Sequence, residues 1–90
     1  MAYKESTRLP VGPDGMAFGA DGNLYVAVHG QGDVTVLSPE GDVVRRIETA
    51  GRQPTNVSFG RSGEQRIYVT EVEFGRVEAF GVETEGLRLY

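Results

Sequence analysis

The sequence has no cysteine and no tryptophan, and its 90 residues include a single histidine. Without cysteine, disulfide bridges and thiolate metal sites are excluded. One histidine, His29, also excludes a multi-histidine metal site within one chain, and we expect this residue to be solvated in a loop. The longest apolar run, residues 24–28, is far too short to span a bilayer, and residues 1–8 lack the apolar segment of a secretory signal. These absences predict a cytoplasmic protein.

Positive charge is also scarce, because the formal net charge is -4. Nucleic-acid-binding proteins need a basic face to neutralise phosphates, so this balance argues against a nucleic-acid partner. The acidic excess is local: residues 71–85 contain five glutamates against the single basic residue Arg76. Such a patch suits a cation or a basic partner, but the solvated face of a strand is the favoured interpretation.

Helical periodicity is missing as well, and no stretch keeps an apolar period of 3.6 residues. Instead, short runs rich in valine, isoleucine, tyrosine and phenylalanine alternate with glycine-rich turns about every ten residues, which predicts an all-β fold. The predicted strands are 15–19, 24–29, 33–38, 43–48, 56–60, 66–72, 76–81 and 86–90, with residues 2–9 as a further strand. The run from residue 24 is apolar on both faces, so its sheet should be covered on both sides. The charged run from residue 43 is typical of an outer edge strand.

The strongest pattern is an internal repeat. Residues 13–19 align with 54–60 at an offset of 41, and Leu-Tyr-Val at 24–26 aligns with Ile-Tyr-Val at 67–69 at an offset of 43. A period of this length with four short strands in each unit is typical of propeller blades. We therefore predict a lead-in over residues 1–12, a first four-stranded antiparallel blade over 13–50, and a second over 51–90.

Two blades leave two faces uncovered, since about three repeats are normally needed for a stable core. We therefore expect copies of the chain to associate, and three copies would give six blades. The other interpretation is that the chain is a piece of a longer protein.

The predicted meander places candidate polar residues near the axis of the propeller. The residues leading into the first strand of each blade lie on the same rim as the connections between the second and third strands. Because innermost strands line the channel, Asp14, Thr55 and Asn56 are the polar residues nearest the axis. Asp14 is the best candidate for chemistry, although Pro-Asp-Gly is also a good turn sequence.

Short motifs in both units resemble those of one known family. In the first unit they are Asp14-Gly15-Met16-Ala17, Asp21-Gly22-Asn23-Leu24-Tyr25-Val26-Ala27, Gly32-Asp33-Val34 and Pro39-Glu40-Gly41. In the second they are Pro54-Thr55, Phe59-Gly60, Ile67-Tyr68-Val69-Thr70 and Gly86-Leu87-Arg88-Leu89-Tyr90. With these motifs the chain resembles the last two blades of the senescence marker protein/gluconolactonase/regucalcin family, whose fold is a six-bladed propeller. The first unit is also similar to NHL-type repeats.

The resemblance implies a metal-dependent hydrolase acting on a lactone or other carboxylic ester. In that family a divalent cation is held in the channel by a glutamate, two asparagines and an aspartate, and the aspartate corresponds to Asp14. The other ligands come from earlier blades, which this chain lacks. The implied cofactor is Ca²⁺, with Mg²⁺ or Zn²⁺ as alternatives. The cation would polarise the carbonyl and lower the pKa of bound water, and Asp14 would also serve as the general base.

Three functional interpretations remain open from the sequence. The first is a lactonase-like hydrolase that is active only when a full propeller assembles. The second is a non-catalytic, NHL-like binding or structural module, and the third is an inactive remnant or an excised fragment. In a threefold assembly Asp14 and Asn56 would each occur three times near the axis, where a hard cation would relieve carboxylate repulsion. The alternative is that Asp14 only caps a turn and the channel holds water.

Overall fold

The computed structural model describes residues 12–87, which form two antiparallel sheets. The first sheet has the order β1 (Gly12–Phe18), β2 (Leu24–His29), β3 (Asp33–Leu37) and β4 (Val43–Glu48). The second has the order β5 (Pro54–Phe59), β6 (Arg66–Glu71) and β7 (Arg76–Gly81). The predicted all-β fold of two meandering blades is confirmed, and the charged strand β4 lies at an outer edge as expected. Over these residues no helix is long and apolar enough to cross a membrane.

The connection between the first two strands contains a glycine with positive φ in both blades. Gly22 and Gly63 have φ values of 89° and 87°, in a region that side-chain-bearing residues rarely adopt. The two glycines are equivalent in the internal repeat, at Asp21-Gly22 and Ser62-Gly63. The repeat seen in the sequence therefore preserves the conformation of this turn glycine in both blades.

The two blades share one apolar core between their facing sheets. Its buried side chains are Tyr25, Ala27, Val34, Val36 and Ile47 from the first blade, and Val57, Ile67, Val69 and Val82 from the second. The rings of Tyr25 and Phe59 meet edge to face across this core, with centroids 5.0 Å apart. Val26, which points to the opposite side of β2 from Tyr25, is also only 6% exposed. Both sides of this strand are therefore buried, as predicted, although the described residues place a second sheet only on the side of Tyr25.

The segment after β7 turns inward instead of continuing along the edge of its sheet. Gly86 forms an antiparallel bridge with Gly19, and the Leu87 N–H donates to the Phe18 carbonyl at 3.0 Å. A Cβ on Gly86 would lie 2.6 Å from the Cβ of Phe59, so the close approach of this segment to β5 needs glycine at position 86. The strand predicted at 86–90 is therefore paired with the end of β1 at its first two residues. Residues 88–90, and the strand predicted at 2–9, lie outside the described residues.

Candidate functional site

The candidate site lies near the rim where both inner strands, β1 and β5, begin. Gly12 pairs with His29, and Pro54 pairs with Glu71, so each inner strand starts beside the end of its neighbour. The Gly30 N–H donates to the carbonyl of Arg52 at 2.8 Å and joins the two blades there. This rim, which we call the upper rim, comprises residues 12–14, 29–33, 53–55 and 71–76, as the meander predicts. The expectation for His29 was wrong, because it is a half-buried strand residue and not part of a loop.

Both inner strands carry a β-bulge at the candidate residues. In β1 the register shifts between Pro13 and Met16, so Asp14 and Gly15 together oppose one residue of β2. In β5 the register shifts between Pro54 and Asn56, with Thr55 as the extra residue. The two bulges are equivalent in the repeat. Bulges bend a strand and re-aim its side chains, and they are common beside active sites. Asp14 therefore belongs to a bulged strand and does not cap a tight turn.

The inner strands touch each other at Gly15 and Asn56. A Cβ on Gly15 would lie 2.7 Å from the Cα of Asn56, so only glycine permits this approach. Asn56 Oδ1 accepts the N–H of Val57 at 3.0 Å, and both Asp14 and Asn56 are exposed. The structure thus brings Asn56 against the residue that follows Asp14. The third candidate, Thr55, hydrogen-bonds across the sheet to the hydroxyl of Thr70 at 2.9 Å.

The donor chemistry of this pair suits a hard cation. A carboxylate oxygen and an amide oxygen are ligands that Ca²⁺ and Mg²⁺ prefer, but Ca²⁺ takes about six to eight of them. Between residues 12 and 87 no group of three or more histidine, aspartate or glutamate side chains lies close enough to hold a metal. Asp14 and Asn56 therefore fit part of an oxygen-ligand site, which needs further oxygen ligands to be complete.

An open groove of about 610 Å³ runs along the inner strands below the bulges. Its polar lining includes Asn56, Ser58, Arg61 and Ser62, and its apolar lining includes Met16, Phe18, Phe59 and Leu87. Met16 and Phe18 are 52% and 53% exposed. The sequence predicts these two side chains to pack in the core or channel, and the structure places them on the wall of this groove.

A buried carboxylate at the upper rim was missed by the sequence analysis. Glu71 ends β6 and is only 1% exposed. One carboxylate oxygen accepts the N–H groups of Gln53 and Glu73 at 2.9 and 3.1 Å, and the other accepts that of Phe74 at 2.9 Å. The carboxylate also lies against Gly51, where any side chain would collide with it. Glu71 therefore shapes the rim that carries the candidate site.

Two neighbouring glutamates bind the same interblade linker, residues 49–53. Glu73 accepts the N–H of Arg52 at 2.7 Å, and both oxygens of Glu78 approach the N–H of Ala50 at 2.9 and 3.1 Å. With Glu71, three carboxylates of the second blade bind three backbone amides of this linker. The acidic segment was expected to be the solvated face of a strand, with a site for a cation or a basic partner as the alternative. For these three residues the structure shows a different role, which is to anchor the backbone between the blades.

The pKa of Glu71 reflects these contacts. Burial acts to raise the pKa, but the N–H groups of Phe74, Gln53 and Glu73, together with nearby Arg76, hold it below its ordinary value. The pKa of Glu64 is also lowered, mainly by the hydroxyl of Tyr68 and the N–H of Arg61. A carboxyl group with a lowered pKa in the folded state stabilises the fold when it is ionised.

We expect acid to weaken the fold through Glu71. The contribution of this carboxylate is present above its ordinary pKa of 4.5 and is lost as the pH falls through the lowered value. The difference in Tm between the wild type and Glu71→Gln, measured by circular dichroism, should therefore be constant from pH 7 to about 5 and shrink toward pH 3. A difference that stays constant down to pH 3 would contradict this expectation.

Comparison with known proteins gives one family and several relatives. The family region described as SMP-30/gluconolactonase/LRE-like matches residues 2–73. Over 58 residues the chain is 40% identical to 6-deoxy-6-sulfogluconolactonase of Pseudomonas putida, covering 64% of this chain and 20% of that protein. Over 80 residues it is 35% identical to diisopropyl-fluorophosphatase of Loligo vulgaris, covering 88% of this chain and 25% of that protein.

A solved structure supports the fold independently of these sequence matches. The structure of luciferin-regenerating enzyme superposes with a TM-score of 0.74 at 24% identity, over 83% of this chain and 30% of that one. At this identity the likeness concerns the fold alone. The chain spans between a fifth and a third of the length of these proteins.

Proposed function

We propose a function from the premise that this chain belongs to the SMP-30/gluconolactonase/LRE-like family, to which its match over residues 2–73 assigns it. The proposed function is hydrolysis of a lactone or related carboxylic ester by a complete propeller that contains these two blades. The observation that supports it is the pair of repeat-equivalent bulges on the inner strands, with Gly15, the residue after Asp14, in close contact with Asn56. A relative named for a sugar lactone, at 40% identity, supports the class of substrate.

The residues of this chain have distinct roles in the proposed reaction. Asp14 and Asn56 would hold a divalent cation through oxygen ligands, with Ca²⁺ preferred and Mg²⁺ or Zn²⁺ as alternatives. When bound, such a cation supplies Lewis acidity toward the carbonyl and lowers the pKa of water. The carboxylate of Asp14 orients the attacking water and accepts its proton. Met16 and Phe18 form part of the apolar wall of the neighbouring groove.

We propose that two further copies supply the missing blades. By strand alternation, Met16 and Phe18 lie on the face of the first blade that points away from the second blade. On the second blade, Ser58 and Thr70 lie on the corresponding outward face and are exposed. Stacking the second blade of one copy on the first blade of the next buries both faces. Three copies joined in this way make a closed ring of six blades, whereas a ring that fails to close gives filaments.

Hydrolysis of simple aldonolactones by the assembled protein tests the catalytic proposal. We expect turnover that a chelator abolishes, and a loss of about 100-fold or more for Asp14→Asn, because a positioned base contributes roughly 10²–10⁴ in rate. Asp42→Asn is the matched control, since Asp42 is exposed in a turn between β3 and β4, and this variant should keep wild-type activity. An assembled protein without chelator-sensitive turnover would contradict the proposal and favour a non-catalytic binding module.

The cation site has a test that does not depend on activity. A ligand that binds only the folded form raises its stability, so millimolar Ca²⁺ should raise the Tm of the wild type and of Asp42→Asn but not that of Asp14→Asn. A wild-type Tm that does not respond to Ca²⁺, Mg²⁺ or Zn²⁺ would contradict a cation site at Asp14.

A further inference from the structure

Glu71 is linked to Asn56 by a short stretch of backbone that is held firmly in place. The N–H of Gln53 donates to the Glu71 carboxylate at 2.9 Å, and the carbonyl of Gln53 accepts the N–H of Val72 at 3.0 Å. Pro54 comes next; its side chain is buried, it pairs with Glu71, and its ring restricts φ. The backbone that enters β5 is therefore fixed three residues before Asn56.

The bulge of β5 is held by the residue that precedes Glu71. Thr70 pairs with Asn56 in the register of the two strands. Its hydroxyl lies 2.9 Å from the hydroxyl of Thr55, which is the extra residue of the bulge. Two consecutive residues at the end of β6 thus hold the entry to the bulge and the bulge itself. On its other side, Asn56 contacts the first inner strand at Gly15.

The first blade forms the equivalent bulge without these anchors. At the repeat offset of 43, Val28 is the equivalent of Glu71, and it pairs with Pro13 at the start of the first bulge. Ala27 likewise stands in the place of Thr70. A bulged inner strand is therefore compatible with apolar residues at both positions. Because burial of a carboxylate costs desolvation free energy, the blade fold alone does not explain why the second blade has one here.

We propose that Glu71 is a positioning residue for Asn56, and that it holds the bulge of β5 in the conformation in which Asn56 serves as a cation ligand. This inference rests on the proposed function, because it concerns the same cation site. Glu71 acts through the backbone, since its two carboxylate oxygens already accept three backbone N–H groups. Loss of a partner that orients a ligand typically lowers metal affinity roughly 10- to 100-fold.

Calorimetric titration of the full chain with Ca²⁺ tests this role. At a temperature at which all variants are folded, Glu71→Gln should bind Ca²⁺ roughly 10-fold more weakly than the wild type, or more weakly still. Glu78→Gln is the charge-matched control, because Glu78 binds the same linker at Ala50, which is farther from the bulge. This control should bind Ca²⁺ almost as tightly as the wild type. An equal loss of affinity in both variants would mean that only the negative charge matters and would overturn the inference.

Val36→Ala is the control for lost stability. Val36 is buried in the first blade and pairs with Tyr25 and Arg45, away from the upper rim. Its truncation leaves a cavity and should lower the Tm, but it should not change the affinity for Ca²⁺. A loss of affinity in Val36→Ala as large as that in Glu71→Gln would show that Glu71 acts through stability alone, which contradicts a positioning role.

Nuclear magnetic resonance of the metal-free protein reports on the bulge itself. The backbone amide signals of Thr55 and Asn56 should shift in Glu71→Gln and stay in place in Glu78→Gln, because only Glu71 holds the entry to the bulge. Unchanged signals of both residues in Glu71→Gln would overturn the positioning role whatever the calorimetry shows.

The two measurements separate this inference from the proposed function. If the wild type binds Ca²⁺ and Glu71→Gln binds it equally well, this inference fails and the hydrolase proposal is unaffected. If Glu71→Gln loses affinity but the assembled wild type hydrolyses no lactone, the positioning role is supported and only the hydrolase proposal fails. A wild type that binds no Ca²⁺ would overturn the cation site and this inference together.

Discussion

Replacing Glu71 with alanine should lower the Tm by about 10 °C or more, one of the largest effects expected from a single substitution in this chain. The variant removes one buried acceptor from three backbone N–H groups, those of Gln53, Glu73 and Phe74. These three hydrogen bonds are partly buried, and the loss of a charged acceptor from all of them at once destabilises the fold. The loss also leaves a void beside Gly51, because the carboxylate fills the space above this glycine. The linker and the upper rim should therefore lose their shared anchor.

Two further variants separate this role from a general effect of charge. Glu71→Gln keeps one oxygen acceptor but brings an amide N–H₂ toward backbone donors, so its Tm should fall between those of the wild type and Glu71→Ala. Glu40→Ala removes an exposed carboxylate from a turn and should shift the Tm by no more than about 2–4 °C. The measurement is thermal unfolding at pH 7 by circular dichroism. A Glu71→Ala variant as stable as Glu40→Ala would show that the three hydrogen bonds do not hold the rim.

The architecture was predictable because its determinants are local and repeated. Turn glycines such as Gly22 and Gly63 set the strand boundaries, and their spacing revealed the period of a blade. Apolar residues on both sides of β2 indicated that a second sheet covers the first. These features depend on residues close in sequence or on a pattern that occurs twice, so one sequence was enough to predict them.

The local geometry of the candidate site was less predictable, because long-range pairing overrides local preference there. Pro13-Asp14-Gly15 is a good turn sequence, yet pairing with β2 draws it into an extended, bulged strand. The path of residues 82–87 was missed for a similar reason, since it depends on a contact between Gly86 and Phe59. The sequence shows that Gly15 and Gly86 are glycines, but it does not show the residues whose close contact requires glycine at these two positions.

The role of the glutamates that anchor the interblade linker was also not predictable from the sequence. In the sequence, residues 71–85 are only an acidic segment, and acidic segments are usually solvated. Three of its carboxylates accept hydrogen bonds from backbone N–H groups that lie 18 to 28 residues away in the sequence. These donors belong to Gln53, Arg52 and Ala50. A backbone amide that needs an acceptor leaves no mark in the sequence, so this role could be recognised only from the structure.

Gly15→Ala is expected to have the second large effect, because it acts on the contact between the two inner strands. The new Cβ would lie 2.7 Å from the Cα of Asn56, so the blades have to move apart at the bulges. Overpacking of this kind costs about 1–3 kcal/mol, which corresponds to a decrease in Tm of roughly 5–20 °C for a domain of this size. Gly12→Ala is the matched control in the same strand, since nothing lies within 4 Å of its Cβ position, and its Tm should not fall.

The double variant Gly15→Ala/Asn56→Ala shows whether the new methyl group collides with the side chain or with the backbone of Asn56. Removing the Asn56 side chain leaves its Cα in place, so the double variant should recover only a small part of the lost stability. Full recovery would mean that the inner strands are held apart by the amide side chain and not by backbone contact.

The same variants test the candidate site, because Asp14 precedes Gly15 and moves with the bulge. If Asp14 and Asn56 bind one cation, millimolar Ca²⁺ should raise the Tm of Gly12→Ala but not that of Gly15→Ala. An equal response of both variants to Ca²⁺ would separate the cation site from this contact and show that Asp14 acts without Asn56.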